Sequence, residues 1–246
     1  VNQARTSDGI TPLWIAASNG NEGIARLLVA EGKADVNQGR TDDGVTPLYW
    51  AAEKGFEGIA RLLVEEGKAD VNQATTDDGR TPLWIAAEKG HEGIARLLVE
   101  EGKANVNQAR TSDGSTPLWI AAMQGHEAIV RLLVEEGKAD VNQAMTCTPL
   151  FIAAQNGHEP VARVLIDKGA DMETCMTGIG WSPLFVASWS GHTSTVALLL
   201  EKGADPNVAT TKEHLEIPLG STALSVSQLK GHSDVTALLR AIGDGE

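Results

Sequence analysis

Cysteine is nearly missing from this chain: Cys147 and Cys175 are the only two among 246 residues. A small secreted fold held by disulfides needs more, so that class is excluded. Both residues are expected to be free thiols in an intracellular protein, most naturally a cytoplasmic one. Long apolar runs are also missing. No stretch approaches the roughly 18 uninterrupted apolar residues of a spanning helix, so no membrane insertion is expected. Positive charge is scarce, with 20 Lys and Arg against 33 Asp and Glu and a formal charge of −13. A net acidic surface does not bind nucleic acid or anionic lipid unaided. No Gly-x-x-x-x-Gly-Lys-Ser/Thr phosphate loop occurs anywhere.

What is present is repetition. Val-Asn-Gln begins at Val1, Val36, Val71, Val106 and Val141, a spacing of 35 residues. Residues 36–70 and 71–105 are identical at 28 of 35 positions. The unit boundaries fall at 1–35, 36–70, 71–105, 106–140, 141–171, 172–205 and 206–246. These units use up the whole chain, so one solenoid domain over 1–246 is expected, with the last unit as its C-terminal cap. No separate catalytic domain has room. Net charge is spread evenly over the units, which suits a repeating solvated surface.

The third unit shows how each is built. Thr81 is a good N-cap, and Pro82 fits the first helical turn, where its missing N–H costs nothing. Leu83 to Ala87 follow, and the small Ala86-Ala87 pair permits close helix approach. Gly90 stops this helix, and His91-Glu92 starts the next, with His91 expected to cap it. Ile94, Leu97 and Leu98 form an apolar stripe at helical spacing. Gly102 is expected as the left-handed C-terminal cap. An Asp-Gly turn then leads into the next unit. Helices of about ten residues are marginal alone, so each unit depends on its neighbours. That is the defining energetics of a solenoid.

These motifs resemble the ankyrin repeat: Thr46-Pro47-Leu48, Thr81-Pro82-Leu83, Thr116-Pro117-Leu118 and Thr148-Pro149-Leu150, with Gly90-His91, Gly125-His126, Gly157-His158, Gly191-His192 and Gly231-His232. The resemblance covers all seven units. It implies an all-α repeat solenoid of stacked antiparallel helix pairs with short β-hairpin-like fingers. Two departures stand out. The units have 35 residues, against the family's usual length of about 33. One extra residue lies in Gly-Lys-Ala-Asp and one in the turn, and slightly longer fingers are expected. The His that the family places after Thr-Pro-Leu is replaced by Trp14, Tyr49, Trp84, Trp119, Phe151 and Phe185, which suggests an aromatic ladder between units. Unit five lacks the Asp-Asp-Gly tip around Ala144 to Thr148, which implies a truncated finger, and unit seven carries an insertion around Lys212 to Gly220. An exposed apolar edge, or missing preceding units, is expected at the first unit, whereas Ser225, Ser227, Gln228, Lys230, Asp234, Arg240 and Asp244 make the last unit more polar.

No catalytic constellation emerges. His91-Glu92, His126-Glu127 and His158-Glu159 lack the second His of a zinc-protease helix, because Ala95, Val130 and Ala162 stand there. The chain is therefore read as a non-enzyme without cofactor, metal or nucleic-acid partner. What the resemblance implies is protein or peptide binding by a monomer along the concave groove, through finger tips and first-helix ends. Mapped onto this chain, the candidates are Asp42, Asp43, Glu53, Lys54, Asp77, Asp78, Arg80, Glu88, Lys89, Asp113, Met123, Gln124, Trp181, Trp189 and Ser190. The paired aspartates would steer a basic segment, or serve only as solvated turn residues. Trp181 and Trp189 would be interface anchors, or Trp181 would fill the gap left by the short finger. Alternatives are a structural spacer, or a regulatory array of a larger enzyme or channel.

Overall fold

The computed structural model describes residues 2–5, 7–143, 146–174, 176 and 178–243. Expectations on Ala144, Met145, Cys175 and Asp244 fall outside the described residues. Regular structure among the described residues is helical throughout. The pairs are α1 (Pro12–Ser18) with α2 (Glu22–Ala30), α3 (Pro47–Lys54) with α4 (Glu57–Arg61), and α5 (Pro82–Lys89) with α6 (Glu92–Glu100). Next come α7 (Pro117–Gln124) with α8 (Glu127–Glu135), and α9 (Pro149–Gln155) with α10 (Glu159–Asp167). The last are α11 (Pro183–Ser190) with α12 (Thr193–Glu201), and α13 (Ala223–Lys230) with α14 (Ser233–Gly243). The fold is an all-α repeat solenoid of helix pairs stacked in chain order.

Two compact units divide the chain: Val1–Ala121 with Arg131–Ala139, and Ala122–Val130 with Asp140–Glu246. In the first, α1 packs on α2 and α3, and α3 packs on α5. In the second, α9 packs on α10 and α11, α11 on α12 and α13, and α13 on α14.

Helix starts follow the sequence chemistry. The hydroxyls of Thr11, Thr46, Thr81, Thr148 and Ser182 accept the N–H groups of Trp14, Tyr49, Trp84, Phe151 and Phe185. A proline follows each cap, so two unsatisfied donors are removed at each start. Gly55, at the end of α3, is left-handed, and a Cβ there would also lie 2.7 Å from the His91 ring. Glycine is thus needed for both conformation and space.

That ring contact corrects the capping role expected of the histidines. His91, His158 and His192 occupy N-cap positions, yet none makes a side-chain cap bond. Instead Nε2 of each reaches back to the preceding pair: His91 to Glu53 O at 3.2 Å, His158 to Met123 O at 3.1 Å, and His192 to Gln155 O at 3.0 Å. His232 does the same to Trp189 O at 3.0 Å. A carbonyl only accepts, so Nε2–H donates. These rings join neighbouring repeats and satisfy carbonyls at the end of the first helix.

The ends of the second helices hold another correction. Gly102 is not left-handed; Lys103 is, with φ 55°, as are Lys33, Lys68 and Lys138. Gly102 is needed for close approach, since a Cβ would fall 2.8 Å from Val71 Cγ1 and 2.9 Å from Leu98 O. The extra residue of Gly-Lys-Ala-Asp therefore widens the helix end rather than the finger. Gly102 N–H bonds Leu97 O at 3.0 Å and Ala104 N–H bonds Leu98 O at 2.9 Å, spans of five and six residues. In repeats five and six the turn is one residue tighter, with Ala170 bonding Leu165 O and Ala204 bonding Leu199 O. There the left-handed residues are Gly169 and Gly203. The Lys103 ammonium folds back onto Glu100 O, and α4 runs on into a π-helical turn, Leu62–Glu66.

Each finger is a tight turn without a strand. Thr75 N–H bonds Arg80 O at 2.9 Å, and Gly79 N–H bonds Thr75 O at 3.2 Å. Successive fingers are tied by backbone bonds, Thr41 N to Asp8 O, Thr76 N to Asp43 O and Thr111 N to Asp78 O, with Ser112 N and the Arg110 side chain adding to the last. Below them runs an asparagine ladder. Asn2, Asn37 and Asn72 Oδ1 accept from Asp35, Asp70 and Asn105 N at 2.8, 2.8 and 2.7 Å. In the second unit, Asn142 Oδ1 accepts from Asp171 N and Glu173 Oε1 from Asp205 N, both at 2.9 Å.

The edge of the first pair is apolar: Ile24 and Leu27 are 53% and 57% exposed, while their counterparts Ile94 and Leu97 are 1% and 3% exposed. In the last pair Ser225, Gln228, Lys230, Asp234 and Arg240 are exposed, but Ser227 is buried, its hydroxyl held by Leu224 O and the Thr236 hydroxyl. Leu229 and Ile242 are exposed beside them, so this end is not uniformly polar.

Candidate partner-binding surface

The candidates separate into a charged section in repeats two to four and an aromatic section in repeats six and seven. In the charged section the aspartates are engaged within their own fingers and, for Asp78, also by the next one. Asp43 and Asp113 Oδ1 accept the N–H groups of Val45 and Ser115, both at 3.0 Å, and so close their turns. Arg40 pairs with Asp42 and lies 3.6 Å from Asp43. Asp78 takes Arg80 at 2.9 Å, Arg110 at 2.6 Å and the Thr75 hydroxyl at 2.9 Å. Partial burial pushes the Asp78 carboxyl up, but the hydrogen bonds from Arg80, Thr75 and Arg110 outweigh it and hold it at about 2. Asp77 accepts the Asp78 N–H at 2.7 Å. At the first-helix ends, Glu53 pairs with Lys54 at 3.6 Å, and Glu88 with Lys89 at 2.9 Å.

The same arginines lie over the aromatic rings that replace the family's histidines. Arg40 sits 5.7 Å from the Trp14 centroid, and Arg80 and Arg110 sit 5.9 and 5.2 Å from that of Trp84. Trp14 Nε1–H donates to Val45 O at 2.9 Å, and Trp84 Nε1–H to Ser115 Oγ at 3.2 Å. Both bonds run to the following repeat. At these positions indole N–H bonds do the joining that the expected ring-on-ring ladder was to do. The ring beside Trp14 is Trp50, 5.2 Å away on α3.

Met123 and Gln124 end α7. The Met123 carbonyl is occupied by His158 and, at 2.9 Å, by Asn156 Nδ2. Gln124 is exposed and Met123 half-buried.

The aromatic section is built differently. Trp181 is buried, 5% exposed, and bridges to Met176 across its finger turn. Its ring lies 5.2 Å from Phe185, 5.7 Å from Trp189 and 5.6 Å, edge-on, from His214. Trp189 and Ser190 are half-buried. Lys230 Nζ lies 5.3 Å over the Trp189 ring. Neither Nε1 of Trp181 nor that of Trp189 has an acceptor, and the Ser188 and Thr195 hydroxyls beside them are also unpaired. Each buried polar atom left so costs about 1–3 kcal/mol.

The insertion of repeat seven lies beside this cluster. His214 and Ile217 exchange backbone hydrogen bonds at 3.1 and 2.9 Å around Leu215-Glu216. Both turn residues are left-handed, φ 50° and 64°, without being glycine. That conformation is strained for a branched side chain. Ile217 is fully buried beneath the turn, while Leu215 and Leu219 are 60% and 67% exposed. Sequence reasoning missed Leu229, Lys230, His214 and Leu215. Leu229 and Lys230 stand at the first-helix positions used in every other repeat, so carrying the same spacing one unit further would have found them. Cys147 is buried and free. Among the described residues no cluster of His, Cys, Asp and Glu can hold a metal, and no helix is long and apolar enough to cross a membrane.

A model of ankyrin repeats matches the chain three times, over residues 1–75, 67–145 and 138–210. The chain belongs to the ankyrin repeat family, whose members are in general protein–protein interaction modules. No curated protein sequence matches it. Among solved structures it is similar to the crystal structure of the human ASB11 ankyrin repeat domain, with TM-score 0.77 and 24% identity over 94% of this chain and 98% of that one. At that identity the likeness is one of fold.

Proposed function

We propose that this chain is a non-catalytic interaction module that binds a partner protein or peptide, as a monomer, through its fingertips and first-helix ends. The observation that carries this reading is the change of side-chain type at equivalent positions on one scaffold. Glu53-Lys54 and Glu88-Lys89 in repeats two and three correspond to Trp189-Ser190 and Leu229-Lys230 in repeats six and seven. The histidine bridges are kept across the change. Leu229 is 58% exposed, Trp189 is half-buried against Trp181, and Trp is a frequent interface anchor. A preformed surface has little ordering cost.

A spacer role has one observation in its favour, confined to repeats two and three: their outward residues are the same, and their charges are internally paired. The same pairing leaves Asp42, Asp43, Asp77 and Asp78 with less charge to offer a basic segment. The test is pull-down from cell lysate with the wild-type chain and a folded Glu53→Ala/Glu88→Ala/Trp189→Ala/Leu229→Ala variant. Interaction predicts proteins held by the first and released by the second. Equal capture by both moves the site to the acidic fingers, and capture by neither returns the spacer.

A further inference from the structure

The first-helix lysines are not equivalent. Lys54 and Lys89 each pair with the glutamate just before them, at 3.6 and 2.9 Å. In repeat seven the residue before Lys230 is Leu229, 58% exposed. Among the described residues no carboxylate lies within ion-pair distance of Lys230, including Glu213 and Glu216 of the neighbouring loop. Its ammonium rests instead on the Trp189 ring face. A cation over an aromatic face keeps its charge and most of its donor capacity, so Lys230 still offers hydrogen bonds to an anion.

An aromatic face lies against this cation, and exposed leucines stand on the two elements that flank the aromatic cluster. Trp189 lies below it, Leu229 precedes it in the chain, and the strained Leu215-Glu216 turn holds Leu215 outward. Strain in a turn that buries Ile217 while exposing Leu215 costs stability without adding core at the exposed residue. Trp181 and Trp189 keep indole donors without acceptors in the same cluster. On the α13 side, where Lys230 lies on the Trp189 face and follows the exposed Leu229, the complement is a negative group beside apolar residues, while the loop side carries the exposed carboxylates of Glu213 and Glu216 around Leu215.

We infer that repeats six and seven bind a protein segment in which an Asp or Glu side chain is flanked by large apolar residues. The carboxylate pairs with Lys230, and the apolar neighbours cover Trp189 and Leu229. This rests on the interaction reading above and adds to it the chemistry of the partner. It also sets the two sections apart, since Lys54, 4.8 Å over the Trp50 ring, is already paired with Glu53 and Lys230 is not paired with the residue before it.

The experiment selects a random peptide library displayed on phage against the full wild-type chain. Chosen peptides are then synthesised and titrated against wild type, Lys230→Gln and Trp189→Ala, each checked for unchanged helical circular dichroism. Expected are peptides combining Leu, Ile or Phe with one Asp or Glu, weakened about tenfold or more by either substitution. Replacing the peptide's acid by its amide weakens binding to wild type by a similar factor and leaves binding to Lys230→Gln unchanged, as coupling of the two groups requires. Apolar peptides without an acid, or binding indifferent to Lys230→Gln, overturn the inference while leaving the interaction reading in place. Basic peptides lost on Asp42→Asn/Asp77→Asn substitution move the site to the charged fingers and also overturn it. No enriched peptide overturns the inference and the interaction reading together.

Discussion

Repeats two and three and repeats six and seven occupy the same scaffold and spend their aromatic residues in opposite ways. In the first region the tryptophan after Thr-Pro-Leu, in repeat three, is a joint. Trp84 is buried, gives its N–H to Ser115 of the next repeat, and lies under two arginines held by Asp78. In the second region that position holds Phe185, and tryptophans appear where the first region has Arg80 and Glu88. Their indole donors are unpaired, and the covering cation is a lysine without a carboxylate. One region satisfies its indole donors by joining repeats, and the other leaves them buried without an acceptor.

The largest test of this contrast is truncation of the rings. Trp84→Ala removes a fully packed ring and costs about 3–5 kcal/mol in chemical denaturation. Trp189→Ala, half-buried and unpaired at its N–H, costs well under half of that while abolishing partner binding. An equal loss at both sites would make Trp189 a core residue and erase the difference.

Acid comes next. The Asp78 carboxyl is held at about 2 in the folded chain, below its ordinary 3.8. The unfolded chain therefore binds more protons between these values, and stability falls as pH drops through them. The expected loss is on the order of 1–2 kcal/mol, fully present as stability above pH 4 and absent below pH 2. Asp78→Asn removes that part of the pH dependence. A curve unchanged by the substitution breaks the account of the fingertip network.

Smaller still is the hydrogen-bond difference between the two kinds of tryptophan. Trp84→Phe loses a bond to Ser115, whereas Trp181→Phe removes a donor with no acceptor. The first is expected to cost about 1 kcal/mol more than the second, read from paired urea titrations. The smallest effect is in the backbone. Lys103→Gly relieves a left-handed lysine and raises stability by about 0.5–1 kcal/mol, while Gly203→Lys, at φ 94°, lowers it. Thermal melts of both variants decide the sign.

Much of the scaffold was legible because its determinants are local. Thr-Pro caps, Gly stops and an i, i+3, i+4 apolar stripe each act within one helix, and so they are visible in one repeat. What escaped was set by the neighbouring repeat. Local propensity favours Gly102 over Lys103 as the left-handed residue, yet Val71 and Leu98 leave Gly102 no room for a side chain. The histidines look like caps until the preceding helix supplies a carbonyl. The candidate surface was legible in position but not in state. Spacing marked Asp78 and Trp181 alike, whereas only tertiary structure shows that one is clamped by arginines and the other is buried against Phe185 and His214.

The asparagine ladder bears on inheritance as well as on stability. Asn2 to Asp35, Asn37 to Asp70 and Asn72 to Asn105 are the same bond at the same chain separation. Misaligned recombination between the near-identical stretches 36–70 and 71–105 would lengthen or shorten the array by one whole period. Every rung would then find its partner again. A chain joined in this way can change its copy number without passing through a misfolded ancestor, leaving the divergent repeats six and seven untouched while the uniform ones expand or contract.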